Sequence, residues 1–299
     1  MKQPDAGFRS GFIAIIGRPN VGKSTLLNCL VGQKIAITSP KPQTTRNRIL
    51  GILSRDDAQM LFLDTPGIHR AKSSLNKYMV DQARAACQDV DLVLWLVEAD
   101  RPIDKDSPVH EVLSKVSTPV VLGINKIDLV EKDMLLPMID AYNQQRKFAG
   151  IVPFSALQGT GIDTLQQVML EQLPEGPRYF PEDQVTDLPE RFIVAEIIRE
   201  QVLNRTQQEV PYGVAVVVES FQEDQTRNMI SIGAVINVER EAHKRILVGK
   251  GGSMVRNVGK AARLEIERLL GVKVYLELFV RVQKNWTSSD RMMKEFGYE

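Results

Sequence analysis

The chain has 299 residues, 43% hydrophobic and 25% charged, a globular composition that argues against collagen-like, coiled-coil or disordered structure. Its 38 basic and 37 acidic side chains leave a net charge of +1, which excludes whole-surface attraction to nucleic acid or anionic lipid. The length suggests two domains; no apolar run approaches the roughly 18 residues that span a bilayer, and the polar start Met1-Lys2-Gln3-Pro4-Asp5 has no signal-peptide core, so a cytoplasmic protein is expected.

From Gly11 to about Leu173, short apolar runs alternate with amphipathic stretches, which predicts an α/β domain with a mostly parallel sheet covered on both faces. The first run is Phe12-Ile13-Ala14-Ile15-Ile16. Directly after it stands Gly17-Arg18-Pro19-Asn20-Val21-Gly22-Lys23-Ser24, a full GxxxxGK[ST] phosphate loop that opens into a helix from Thr25 to Val31. The glycines let backbone N–H groups turn toward phosphates, the helix N-terminus adds a positive end, Lys23 reaches the outer phosphates, and Ser24 is expected to ligate magnesium.

A polar, proline-marked loop follows from Gln33 to Asn47, a length that inside a compact domain usually signals function or mobility. Thr44 and Thr45 are both candidates to complete the magnesium shell when a third phosphate is present; Thr45 is preferred. Ile49 to Leu53 and Met60 to Leu63 flank Ser54-Arg55-Asp56-Asp57, too short for a crossover helix, so an antiparallel hairpin is expected. The second of these strands ends in Asp64-Thr65-Pro66-Gly67, which places a carboxylate where open α/β sheets put ligands. Asp64 is expected to hold the magnesium, and Gly67 to offer its N–H to a terminal phosphate and release once that phosphate is gone. His69, in the same loop, is weighed as a base and read as a bystander.

Two central strands follow, Leu92 to Val97 and Val120 to Ile124, and the second closes on Asn125-Lys126-Ile127-Asp128. A fixed Asp128 carboxylate accepts two hydrogen bonds from the N1–H and N2 amino group of guanine, whereas adenine presents an acceptor there; a site built this way discriminates by about 10^4. GTP, not ATP, is therefore the expected substrate. Lys126 would lay its stem along the base, and Ser155-Ala156-Leu157, after a strand from Ile151 to Phe154, would supply a backbone N–H to the guanine oxygen. Lys23, Thr45 and Gly67 are the expected catalytic set from the motifs themselves. Cys29 and Cys87 fall in predicted helices without metal-ligand spacing and are read as buried free thiols.

From Pro174 to Glu190 come Pro174, Pro177, Pro181 and Pro189 with five acidic residues, which predicts a linker. The expected divisions are 1–173, a linker over 174–190, and a second domain over 191–299. In that domain the periodicity predicts helix, strand, strand, helix, helix, strand, with the hairpin Gly213 to Phe221 and Met229 to Val238 and a helix break at Gly249-Lys250-Gly251-Gly252. Residues 181–239 carry 4 basic and 11 acidic side chains, residues 240–299 carry 13 and 7, so the charge swings positive where the glycine turn begins. The break resembles the GxxG turn of KH domains, which implies a close grip on a sugar-phosphate backbone, with Lys250, Arg245, Arg256, Lys260 and Arg263 as candidate phosphate contacts beside Gly249, Gly251 and Gly252.

With the four nucleotide motifs in order, residues 1–173 resemble the GTPases of the translation-factor class. Pro19-Asn20 and the apolar Ile68 resemble the subgroup that includes the Era family, and the second half resembles a type II KH domain; the whole chain is similar to the bacterial Era family. The resemblance implies a GTP-hydrolysing switch that releases GDP, a magnesium cofactor, and potassium as a candidate second ion held with the help of Asn20. Ile68 stands where Ras-like proteins have the glutamine that orients the attacking water, so slow intrinsic hydrolysis is expected. The implied partners are the 3' end of small-subunit ribosomal RNA, not DNA, and the small ribosomal subunit during its assembly; loose attachment to the inner membrane also comes with the resemblance. The alternative is an RNA-binding assembly protein with a vestigial GTPase.

Overall fold

The computed structural model describes residues 7–69, 73–104, 106–207 and 210–298. They divide into two compact units. The first holds a six-stranded sheet, ordered β2-β3-β1-β4-β5-β6. Its elements run β1 (Arg9–Gly17), α1 (Lys23–Val31), β2 (Ile49–Ser54), β3 (Ala58–Asp64), α2 (Ser74–Ala85, whose first turn up to Tyr78 belongs to the second unit), β4 (Leu92–Glu98), α3 (Pro108–Leu113), β5 (Val120–Asn125), α4 (Leu135–Asn143), β6 (Gly150–Pro153) and α5 (Ile162–Gln172). Only β2 runs antiparallel, paired to β3 as the short turn required.

Successive side chains of a strand face opposite sides, and Ile13, Ala14, Ile15 and Ile16 are all fully buried, so β1 is covered on both faces. One face packs Ala14, Ile16, Val93, Trp95 and Leu122 against Ala83, Val109, Val112 and Tyr142 from the helices. Because β1 has β3 on one side and β4 on the other, the chain leaves it in a direction that opens a crevice at the C-terminal ends of these strands. That crevice is where Asp64, Glu98 and Asn125 end their strands.

The stretch expected as a linker is laid along this unit as far as residue 187. Ser10 N donates to Pro174 O at 3.1 Å and Gly176 N to Phe8 O at 3.1 Å. Ile52 N donates to Val185 O at 2.9 Å, and Thr186 Oγ1 to Leu50 O at 2.7 Å. The bonds to Ile52 and Leu50 satisfy the outer side of β2, an edge that would otherwise present open backbone groups. Prolines 174, 177 and 181 suit a strap that needs few ladder bonds of its own.

Among the described residues, the second unit contains 37–44, 73–78, 188–207 and 210–298. It holds α6 (Glu190–Arg205), β7 (Val214–Asp224), β8 (Met229–Val238), α7 (Glu241–Val248), α8 (Ser253–Leu270), β9 (Lys273–Val282) and α9 (Asp290–Glu295). The sheet is ordered β7-β8-β9, with β7 antiparallel and β9 parallel to β8. Ile193, Ile197 and Ile198 of α6 and Val258, Ala262 and Ile266 of α8 form its core with Ile232, Ile236 and Val274 of the strands. A smaller cluster joins the end of the chain to the start of α2: Leu75, Ala215, Trp286, Met293 and Tyr298 are buried together. The Trp286 ring stacks on Tyr298 at 5.6 Å, and its indole N–H donates to Gly213 O at 2.9 Å.

Two cysteine expectations need correction. Cys29 lies in α1 but on its exposed side, because the helix buries Leu26, Leu27 and Leu30 instead. Cys87 is buried as expected, but sits just past the end of α2, with its thiol on Ala83 O at 3.3 Å.

Candidate functional site

Helix α1 begins at Lys23, two residues before the periodicity alone placed it, because Gly22 takes a left-handed backbone (φ 100°) as its cap. A Cβ on Gly22 would lie 2.2 Å from Asn125 Nδ2, so only glycine lets the phosphate loop and the end of β5 meet this closely. Asn20 is also left-handed, with φ 64°. Lys23, 6% exposed, donates from Nζ to Arg18 O at 3.0 Å. Burial pushes its pKa down to about 8, although Asp64 and Glu98 pull it up. A buried ammonium facing carbonyls is a strong electrostatic host for an anion such as a phosphate. Arg18 itself turns to Asp104, 3.0 Å away.

Ser24, Thr45 and Asp64 are brought together. Ser24 Oγ donates to Asp64 Oδ2 at 2.7 Å and stands 2.7 Å from Thr45 Oγ1, which is 3.4 Å from the same carboxylate oxygen. Thr44 turns its hydroxyl to Lys41 O at 2.7 Å instead. Asp64 is fully buried and its Oδ1 has no hydrogen-bond partner. Burial pushes this carboxyl up to about 6 against the attraction of Lys23 and the hydrogen bonds from Ser24, Thr45 and the Thr65 backbone. Two hydroxyls and one orphaned carboxylate oxygen fit magnesium, a hard cation that takes oxygen donors and shares its shell with substrate phosphates.

The rest of the Asp64-Thr65-Pro66-Gly67 segment is anchored to the phosphate loop. Thr65 Oγ1 donates to Ile15 O at 2.7 Å, and Ile68 N to Gly17 O at 3.0 Å. Any side chain at Gly67 would strike Pro19, whose Cα lies 2.6 Å from the position of a Cβ. Pro66 and Ile68 are buried. His69 bonds through Nδ1 with Gly67 O at 2.8 Å, while its Nε2 is buried without a partner.

Asn125 ties three loops. Its Nδ2 donates to Val21 O at 2.8 Å, and its Oδ1 accepts from Lys126 N at 2.8 Å and Ala156 N at 3.0 Å. Asp128 is half-buried, with Oδ1 shielded from solvent and unpartnered, as a carboxylate reserved for a donor pair would be. Ser155 is buried and Leu157 is 81% exposed. Thr25 is the third residue of α1.

Sequence reading missed Glu98. This buried carboxylate pairs with the Lys126 ammonium and, at 3.0 Å, with Arg101. It neighbours Asn125 in the parallel register of β4 and β5. One signal was available: Glu98 is a charged residue at the end of the apolar run Leu92 to Val97, the same position that Asp64 holds on β3.

In the second unit, α7 ends at Val248 and the turn that follows has three left-handed glycines, Gly249 (φ 71°), Gly251 (φ 59°) and Gly252 (φ 77°). A Cβ on Gly249 would lie 2.9 Å from Met254 N, while one on Gly251 would meet nothing within 4 Å. Arg245, Lys250, Arg256 and Lys260 are exposed around it, and Arg256 donates to Gly251 O at 2.7 Å. Arg263 is half-buried and faces Glu267 at 3.5 Å. Ile246, 49% exposed beside the turn, was also missed; an apolar side chain there can lie against a base.

Comparison with known proteins gives two family matches, "50S ribosome-binding GTPase" over residues 12–126 and "KH domain" over residues 209–287. The chain is 59% identical over 293 residues to the GTPase Era of Geotalea uraniireducens, covering 98% of each chain. It is 56% identical over 295 residues to the GTPase Era of Geobacter metallireducens, covering 98% and 99%. Among solved structures, Era in complex with MgGDPNP and nucleotides 1506–1542 of 16S ribosomal RNA superposes with a TM-score of 0.93, at 41% identity over 97% of this chain and 99% of that one. An Aquifex aeolicus Era variant bound to GDP and AlF4- gives 0.93 at 40% identity, with the same coverage.

Proposed function

We propose, since this chain belongs to the Era family of GTPases, that it is a GTP-hydrolysing switch which holds the 3' end of small-subunit ribosomal RNA and acts in assembly of the small subunit. The observation that carries the reading is the meeting of Ser24, Thr45 and Asp64 beside buried Lys23, with the Asp128 Oδ1 left unpaired where a base edge would sit.

Each part has a chemical task. Lys23 and the N–H groups at the start of α1 bind the phosphates and meet the charge that develops on them. Ser24, Thr45 and Asp64 would hold magnesium, which supplies charge neutralisation at the outer phosphates when bound. Asp128 selects guanine, and Asn125 keeps the base loop and phosphate loop in register. Ile68 is apolar and buried, so this chain has no side chain there to orient water, which supports a slow intrinsic rate. Asn20, held left-handed at the phosphate loop, supports potassium as the second ion; replacing potassium by sodium should then slow hydrolysis.

Ribonucleotide binding is assigned to the turn at Gly249 to Gly252 with Arg245, Lys250, Arg256 and Lys260, supported by their exposure and by the turn's open backbone. Inner-membrane attachment rests on the family resemblance alone; among the described residues no helix is long and apolar enough to cross a bilayer.

The test is the affinity of the full chain for a 3'-terminal 16S ribosomal RNA fragment, loaded with GDP or with a non-hydrolysable GTP analogue. A ratio of about 5 to 150 between the two states is expected for a coupled switch. Equal affinities would remove the switch and leave an RNA-binding protein with an uncoupled GTPase.

A further inference from the structure

The loop after α1 is held by α6 at three points. Glu200 Oε1 accepts from Thr38 N at 2.8 Å. Lys41 Nζ donates to the carbonyls of Leu203 and Thr206, at the end of the helix where cations are favoured. Arg199 donates to the carbonyl oxygen of Thr44.

Of these, Arg199 is the most constrained. It is fully buried, and Glu196 fixes its guanidinium through Nε at 2.7 Å and a terminal nitrogen at 2.6 Å. Burial lowers its pKa, but Glu196, Tyr298 and Glu200 outweigh that and raise it overall, so it stays charged. The planar fork grips both oxygens of the carboxylate while it also serves the carbonyl, whereas an ammonium meets a carboxylate only as a point charge. A buried charged group of this kind has few places to go, so the Thr44 carbonyl is fixed with it. Thr44 closes the turn locally through its hydroxyl on Lys41 O. The very next residue, Thr45, puts its hydroxyl 2.7 Å from Ser24 Oγ.

We propose that Arg199 is a positioning residue for GTP: by holding the Thr44 carbonyl it sets where Thr45 presents its hydroxyl, and so links α6 to the presence of the third phosphate. The link is a single peptide bond, which transmits position without a relay of contacts. It rests on the reading of Thr45 as a magnesium-site residue. By reciprocity, whatever Arg199 adds to the preference for triphosphate over diphosphate returns as a preference of the RNA-holding unit for one nucleotide state.

The experiment uses the full chain in four forms, Arg199→Met, Arg199→Lys, Glu196→Gln and Thr45→Ala, with a thermal melt to confirm folding. Fluorescent GDP and a fluorescent non-hydrolysable GTP analogue are titrated with magnesium present. Loss of a hydrogen bond from a charged group predicts that Arg199→Met weakens the triphosphate analogue about tenfold or more, with GDP affinity changed by less than about twofold. Arg199→Lys and Glu196→Gln should fall between it and the parent, and they carry the comparison if Arg199→Met does not fold. Adding Arg199→Met to Thr45→Ala should cost little more, since both act through one hydroxyl. A selective loss in Thr45→Ala with none in the Arg199 and Glu196 variants overturns the inference and leaves the site reading intact. Equal losses for both nucleotides in the Arg199 variants also overturn it, as a purely structural role would give that. No selective loss in Thr45→Ala overturns the reading of Thr45 and the inference with it.

Discussion

The Ser24 hydroxyl donates to one oxygen of Asp64 at 2.7 Å, while the other oxygen of that carboxylate is buried with no partner. A fully desolvated carboxylate is costly to keep half-satisfied, so the arrangement stores a demand for a cation. Asp64→Asn removes the charge and keeps the volume. Magnesium-dependent affinity for a GTP analogue should fall by about 2 to 4 kcal/mol, with magnesium-free GDP binding nearly unchanged. Calorimetric titration with and without the metal measures both; a variant that keeps its full magnesium response contradicts the assignment.

Asp128 holds a shielded, unpartnered Oδ1 at the end of the Asn125-Lys126-Ile127-Asp128 segment. Asp128→Asn should lower GTP affinity by a factor on the order of 10^3 or more and shift preference to xanthine nucleotides, whose altered edge suits an amide. Competition between GTP and XTP reads the outcome directly. Retained guanine preference would place base selection elsewhere.

Glu98 anchors the Lys126 ammonium from the neighbouring strand. Glu98→Gln keeps the shape but loses the charge, so the Lys126 stem is less firmly placed beside the base. GDP and GTP should weaken together by about 1 to 2 kcal/mol, with the hydrolysis rate at saturation unchanged. A fall in that rate without a change in affinity would assign Glu98 to the phosphates instead.

Gly251 and Gly249 make opposite predictions from one turn. Gly251→Asp has open space for its side chain, and aspartate tolerates φ 59°, so the domain should fold with its carboxylate facing the RNA path. RNA affinity should be lost and hydrolysis of free GTP kept. Gly249→Asp, with Met254 N 2.9 Å from its Cβ, should lower the melting temperature instead. If Gly251→Asp still binds the RNA fragment, the turn is not its site.

The two thiols should separate by pH and exposure. Burial pushes the Cys87 thiol up to about 11 and raises that of exposed Cys29 less far. A raised pKa means less thiolate at a given pH, so at pH near 8 an alkylating reagent should modify Cys29 slowly and Cys87 only on unfolding. Mass spectrometry of the native protein after timed alkylation checks the order.

Much of the site was legible because its chemistry is local. Gly17 to Ser24, Asp64 to Gly67 and Asn125 to Asp128 each follow an apolar run, and the end of a strand is a place that sequence can mark. The same reasoning reached the order of α6 to β9, since helix and strand periods differ plainly there. It did not reach the strap over 174–187, whose hydrogen bonds go to Ser10, Ile52 and Gln59, residues more than 100 positions away. It also missed α9, six residues long and too short for a period to show; Ser289 caps it and buried Met293 holds it against Trp286.

By itself the sequence pointed to a guanine nucleotide and its magnesium at the ends of one sheet, because the residue types and their spacing admit few other chemistries. Only the tertiary structure decided that Thr45 and not Thr44 meets Ser24 and Asp64, that Glu98 secures Lys126, and that Arg199 holds the Thr44 carbonyl. The reason is physical: composition and periodicity fix what each segment can become, but the partner of a buried charge is chosen by whichever distant group the completed packing leaves within 3 Å, as the pairing of Ser24 with Asp64 at 2.7 Å shows.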